Sequence, residues 1–436
     1  MLATLAMLGL GCKGSLPSRE DLLPRTPHER YARALKDAGL DQTALGRDWL
    51  AAGERALRAA PAFALPLSEA VYFPADAAGA ASYRLSLRRG ERLMVSAQVE
   101  GVEPARLFLD LFVLAGDSVV TPIHRAAAED EALALDHEVE RDGAYVLRVQ
   151  PELLRATRAR VTARLTPTLA FPVAGRGGGA VRSLFGADRD AGRRTHQGID
   201  IFAPRGTPAV AATDGWIRNV GVSRLGGNVV WLWDPTRGQS LYYAHLDTQL
   251  VRPGARVRAG DTLGLVGNTG NARTTPPHLH FGIYRRGEGA IDPFRWVYAP
   301  REQPPRVEGE LATLGTSRRL RRESMLRGAP GAAAPGLAPL PSRTLVRLGG
   351  LTGGWARVAL PDGRSGFLPV AALERADAPL ATARLTSDDL LRERPDARAA
   401  PLDSVPAGSR VGVLGEFAGY RLVRTASGQV GWVGGG

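Results

Sequence analysis

Four of the seven histidines fall between residues 171 and 297, and three short motifs hold them. These are His196-Gln-Gly-Ile-Asp200, Tyr243-Ala-His245-Leu246 and Pro277-His278-Leu279-His280-Phe281. On a β-strand, residues two apart project from one face, so His278 and His280 enter one site together. One of the two can coordinate a metal while its neighbour touches the water beside it. His196 and Asp200 stand four apart, on one face of either a strand or a helix, and Gly198 between them permits a tight backbone. Ile199 and Ile201 point the other way, into a core. Two imidazoles and one carboxylate make a borderline-hard ligand set suited to zinc, with a fourth position left for water. An open site of that kind lowers the pKa of the water and polarises a scissile carbonyl. The His-Glu-x-x-His helix motif is absent. A single cysteine, Cys12, excludes Cys-rich zinc sites and a disulfide framework. His124 and His137 have no partners nearby in sequence and read as ordinary structural or surface histidines.

The segments around these motifs are β-rich: GTPAVAATDGWIRNVG, NVVWLW, SLYYAHL, DTLGLVG and LHFGIY, separated by Gly and Pro turns. They occupy part of a 436-residue chain, too long for one core and closer to about three domains. Hydrophobic residues at 44% and charged residues at 23% give a globular balance, which excludes a wholly disordered chain. No apolar run is long enough for a polytopic membrane protein.

Residues 13–60 read as a helical segment. Tyr31 and Leu35 share a face before Gly39, and Asp41 can cap a second helix that presents Leu45, Trp49, Ala52 and Ala56. From 67 to 166 the period changes to two, around turns at Arg89-Gly90 and Asp142-Gly143, which indicates an all-β sandwich. Its layout resembles the small sandwiches that accompany secreted bacterial peptidases. Residues 301–320 are polar and Pro-containing, a linker or peripheral helix. The tail then repeats at a constant offset of 65: Gly354-Trp355 matches Gly419-Tyr420, and Gly366-Phe367 matches Gly431-Trp432. The two copies, 321–375 and 386–436, resemble bacterial SH3-like barrels, which either bind wall peptide or brace the catalytic unit.

Net charge is +12, and residues 171–300 carry 16 basic against 9 acidic side chains. A basic surface steers a protein toward polyanions, bacterial wall polymer among them. No RNA-binding aromatic signature, zinc finger or basic heptad helix is present, so nucleic acid is not an expected partner. Met1–Gly11 is an apolar stretch of secretory length ending at Cys12. Gly11-Cys12 resembles the end of a bacterial lipobox, which implies a lipoprotein-like signal over 1–12, a lipidated Cys12 and an exported protein of the periplasm or outer membrane. Two features depart from that pattern: no basic residues precede the stretch, and Gly9 stands where Leu is usual.

Taken together, FPVAG, THQGIDIFAPRGTPAVAATDG, YYAHL, GDTLGLVGNTGN and PPHLHFGIY resemble the lysostaphin/LytM-type zinc endopeptidases of bacterial cell walls. The resemblance implies a peptidase domain over 171–300, with a β-sheet groove closed by loops. It implies zinc bound by His196, Asp200 and His280, a catalytic pair of His245 and His278, and peptidoglycan cross-link peptides as substrate. On that pattern His278 is the general base and His245 donates to the developing oxyanion. Asn228, in a Gly-Gly-Asn turn, shapes the groove or serves the turn alone. Pro276-Pro277 and Gly282 depart from the usual residues at those places. The competing expectation is a non-enzymatic relative that activates another wall hydrolase, although such relatives typically lose zinc ligands and here all are present. The expected fold class is mainly β and multidomain: helical pair, sandwich, LytM-type domain and two SH3-like barrels.

Overall fold

The computed structural model describes residues 26–100, 105–115, 118–126, 132–189, 192–298 and 303–434. The apolar N-terminal stretch and Cys12 lie outside the described residues. Helix α1 (Pro27–Asp37) opens with a capping box: Glu29 N donates to Thr26 Oγ1 and Thr26 N to Glu29 Oε2. Helix α2 (Ala44–Arg58) is capped by Thr43, whose Oγ1 accepts from Gly46 N at 3.1 Å, and not by Asp41 as the sequence suggested. Asp41 belongs instead to a short 3-10 turn, Leu40–Gln42. A side chain at Gly46 would meet the Leu40 carbonyl, so the turn and helix pack too closely for a larger residue.

The sandwich has two sheets. One orders the strands Ala81–Leu87, Gly143–Pro151, Leu107–Ala115 and Ser118–Ala126. The other orders Leu67–Phe73, Thr157–Pro167, Glu91–Glu100 and Ala132–Glu138. Tyr83, Leu85, Leu87, Leu93, Leu109, Leu111, Leu147 and Val161 fill the space between them. His137 sits on a sandwich strand beside Tyr145 and belongs to no metal-capable group among the described residues. The side chain of His124 is outside the described residues.

The second sandwich sheet does not stop at the domain edge. Leu67–Phe73 pairs with Leu345–Thr352 of the first repeat, Ala70 opposite Leu351, so the sheet runs on to eleven strands among the described residues. Residues 301–320 are therefore not simply a linker: Ser317–Leu320 is a strand paired with Leu345–Thr352. The second repeat makes a separate six-stranded sheet. Neither repeat closes into a barrel among the described residues: the strands of the first continue the eleven-stranded sheet, and those of the second form the six-stranded one.

The unit that carries the histidine motifs is a ten-stranded antiparallel sheet with its own core of Ile199, Ile201, Leu232, Leu241, Tyr243, Leu279, Phe281 and Ile283. It is held on the sandwich by Arg237–Glu138 and Arg89–Glu288, each with two hydrogen bonds. Gly90, with φ +90°, lies under the Trp296 indole, where a Cβ would come within 2.6 Å.

Candidate metal centre

Strand Ile199–Phe202 runs antiparallel to His278–Arg285, with Asp200 opposite His280 and Phe202 opposite His278. The pleat sends Ile199, Ile201, Leu279 and Phe281 into the core, all fully buried. Asp200, His278 and His280 consequently share the opposite face, as the spacing predicts. His196 joins them from the end of a short hairpin, Asp188–Arg189 with Arg194–Thr195.

His196 Nε2 lies 2.9 Å from Asp200 Oδ1 and 2.9 Å from His280 Nδ1, and His280 Nδ1 is 3.0 Å from that same oxygen. The edge of a tetrahedron with metal bonds of 2.0–2.1 Å is about 3.3 Å, so a relaxation of a few tenths of an ångström fits these atoms to zinc. His196 Nδ1 donates to the Leu184 carbonyl at 2.8 Å, which leaves the Nε2 lone pair directed at the cluster. Three acceptors so close repel one another unless a cation or a shared proton lies among them. Burial works against ionising Asp200, but the neighbouring His196 and His280 outweigh it and hold the carboxyl well below the usual range. Burial pushes His280 down, opposed by the neighbouring Asp200 carboxylate. These three residues are the metal-capable cluster among the described residues.

His245 reaches the site by a different route. Along Gln239–Gln249, Leu241 and Tyr243 face the core while Tyr242 and Ala244 face the cleft. Simple alternation would bury His245. Its φ of +63° and the register shifts on both flanking ladders form a bulge that turns the ring into the cleft, 5.0 Å from His278. Such a backbone costs about 1–3 kcal/mol for a residue other than glycine. Thr269 fastens the bulge: its carbonyl accepts from His245 Nδ1 at 2.9 Å, and its hydroxyl donates to Leu246 O and accepts from Asn228 N. Gly227 and Gly270 let the Thr269 segment approach, since a Cβ at either would overlap its neighbours at 2.2–2.3 Å. Asn228 itself donates to Asp247 O and does not line the cleft, so its part is turn chemistry beside the bulge.

His278 Nδ1 donates to the Pro276 carbonyl at 2.9 Å, and the ring stacks on Phe202. The acceptor that orients His278 is thus the main-chain carbonyl at position 276, which a residue of any type would supply. Gly282 has a local reason, because a Cβ there would lie 3.0 Å from the Gln197 carbonyl. With both Nδ1 atoms spent on carbonyls, uncharged His278 and His245 each offer Nε2 as an acceptor. Burial first, then the neighbouring His278 and His280, push His245 down to about 4. Donation from His245 Nε2 to an oxyanion therefore requires the ring to take up a proton first.

The cleft measures about 1090 Å³. Arg189, Arg193 and Arg194 line one side, and Trp231, Tyr242 and Tyr284 form an aromatic wall on the other. Sequence reading missed both walls, although the Tyr242–Tyr243 pair carries a signal in its alternation.

Residues 194–293 match the model of Peptidase family M23, and the chain carries a domain of that family there. The peptidoglycan DD-endopeptidase ShyC of Vibrio cholerae is 39% identical over 97 residues, covering 22% of this chain and 21% of that protein. The L-Ala–D-Glu endopeptidase of Bacillus subtilis is 35% identical over 136 residues, covering 29% of this chain and 41% of that protein. Among solved structures, the catalytic domain of the antimicrobial peptidase lysostaphin from Staphylococcus simulans is 33% identical. That match covers 25% of this chain and 85% of that chain, with a TM-score of 0.24. The chain spans less than half the length of these two curated relatives.

Proposed function

We propose that this chain is a zinc-dependent endopeptidase that hydrolyses the peptide cross-links of bacterial peptidoglycan in the cell envelope. The observation that carries the reading is the convergence of His196 Nε2, Asp200 Oδ1 and His280 Nδ1 within about 3 Å of one another, beside two histidines that offer Nε2 to the same cleft. The family match over those residues and the printed names of the two relatives support the substrate class. Membrane attachment through a lipidated Cys12 belongs to the same proposal, and a Cys12→Ala chain that still partitions equally with membranes removes it.

His196, Asp200 and His280 would hold the ion. Zinc supplies a Lewis acid that polarises the scissile carbonyl and acidifies water. His278, oriented by the Pro276 carbonyl, accepts the proton of the attacking water at Nε2 and returns it to the leaving amine. His245, once protonated, donates from Nε2 to the carbonyl oxygen as charge develops there. The aromatic wall and the arginine-bearing hairpin flank the peptide and fix its direction through the cleft.

Digestion of purified sacculi followed by mass analysis of the released muropeptides tests the proposal. The expected result is loss of cross-linked dimers, abolished by stripping the metal and restored by zinc. Sacculi left intact by zinc-loaded, folded protein would sink it, and tight wall binding without cleavage would favour the non-enzymatic activator.

A further inference from the structure

The two oxygens of Asp200 have different neighbours. Oδ1 faces His196 Nε2 and His280 Nδ1, whereas Oδ2 accepts from Arg189 Nη2 at 2.8 Å. The same Nη2 donates to Ser183 Oγ at 2.5 Å, and Ser183 Oγ lies 3.3 Å from His196 Nδ1. One guanidinium nitrogen thus touches one candidate ligand directly and reaches a second through a hydroxyl. Arg189 stands on the hairpin at the rim of the cleft, outside the core, with about a third of its side chain exposed.

We infer that Arg189 is a positioning residue that restricts Asp200 to a single metal-facing oxygen. The inference rests on the metal-site reading above. A carboxylate turns easily about its terminal torsion, and left alone it can offer both oxygens to one ion. Two-oxygen binding would add a donor and fill the position that an open hydrolytic site keeps for water or substrate. With Oδ2 engaged by a charge-assisted bond, only Oδ1 remains for the ion. The guanidinium also repels a divalent ion nearby, so its removal raises metal affinity by either route, and affinity alone does not tell the two apart. Coordination number separates them.

The test is cobalt loading of the full chain and of Arg189→Ala, Arg189→Lys and Ser183→Ala, read by visible absorption with circular dichroism as the folding control. Four-coordinate cobalt absorbs strongly, and added donors weaken the bands. Wild type should show the strong bands, and Arg189→Ala should fall to roughly half their intensity or less as the second oxygen joins. Arg189→Lys keeps a cation beside Oδ2 and should restore most of the intensity. Ser183→Ala leaves the Arg189–Asp200 pair in place and should match wild type. An Arg189→Ala spectrum superimposable on wild type overturns the inference, as does a fall in Ser183→Ala alone or a wild type already showing weak bands. A wild type that takes up no cobalt removes the metal-site reading itself.

Discussion

His278 and His280 share a strand face, yet the structure uses their nitrogens differently. His280 turns Nδ1 into the cluster, while His278 gives Nδ1 to the Pro276 carbonyl and keeps only Nε2 for chemistry. On the proposed reading, that division assigns His280 as the ligand and His278 as the base, and it sets the expected mutant behaviour. His280→Ala should lose most bound zinc and all activity. His278→Ala should keep near-stoichiometric zinc and lose activity by about 100-fold or more, the scale of general-base catalysis. His245→Ala should behave like His278→Ala. Metal analysis and circular dichroism on the three variants decide the matter, and zinc retained in His280→Ala but lost in His278→Ala would reverse the roles. That His278 and His280 share a face was legible in sequence because it is local to one pleated strand, whereas Asp200 meets His280 through the antiparallel register of two strands 80 residues apart. The aim of His245 was not, because it depends on a bulge fastened by Thr269 from another segment. Nor was Arg189, which meets Asp200 only through the hairpin's fold.

Elements show the same split between local and distant information. The helical pair was readable from its periodicity, but its cap shifted from Asp41 to Thr43 because the chain first makes a 3-10 turn. The docking of the pair on the sandwich could not be read at all. His28 stacks on Trp49 with ring centroids 4.7 Å apart and bonds Gln150 Oε1 at 2.8 Å. Gln150 in turn donates to Trp49 O, and the Trp49 indole donates to Pro151 O. Burial, reinforced by the charge of Arg148 and opposed by the Gln150 bond, lowers His28 from 6.5 to about 3. Between those values the unfolded chain binds the proton and the folded chain does not. The His28 contribution is therefore complete above pH 6.5 and is lost as pH falls toward 3. His28→Phe keeps the stacking and removes the titration. Its urea-unfolding stability should fall less steeply than wild type from pH 6.5 downward. Parallel curves for the two proteins would show that His28 is not the group responsible.

At the scale of the molecule, each tail repeat spends the same face on the unit before it. Phe367 lies in the sandwich core with Trp355 packed against it, and 65 residues later Trp432 lies in the first repeat's core with Tyr420 packed against it. Phe367 and Trp432 are therefore docking residues, with Trp355 and Tyr420 partly buried beside them. Between them, Arg357, with 19% of its side chain exposed, makes two 2.8 Å bonds to Glu69, which has no exposed surface. Its guanidinium also lies 4.8–5.8 Å from the ring centroids of Phe63, Tyr83 and Phe367. Glu69 belongs to the sandwich strand that pairs with Leu345–Thr352, so this ion pair sits at the seam between the two units. Removing one partner leaves a buried charge uncompensated, at a cost of about 3–5 kcal/mol, whereas replacing both with apolar residues of similar volume is often neutral. Glu69→Met should therefore destabilise the full chain by that amount in urea unfolding, and Glu69→Met with Arg357→Met should recover most of the loss. The single variant should also loosen the sandwich and the first repeat together, read as parallel gains in amide exchange across Leu67–Phe73 and Leu345–Thr352. Exchange rising on only one side of the seam would mean that the repeat folds independently of the sandwich, and the first repeat would then be an appended module and no longer a brace.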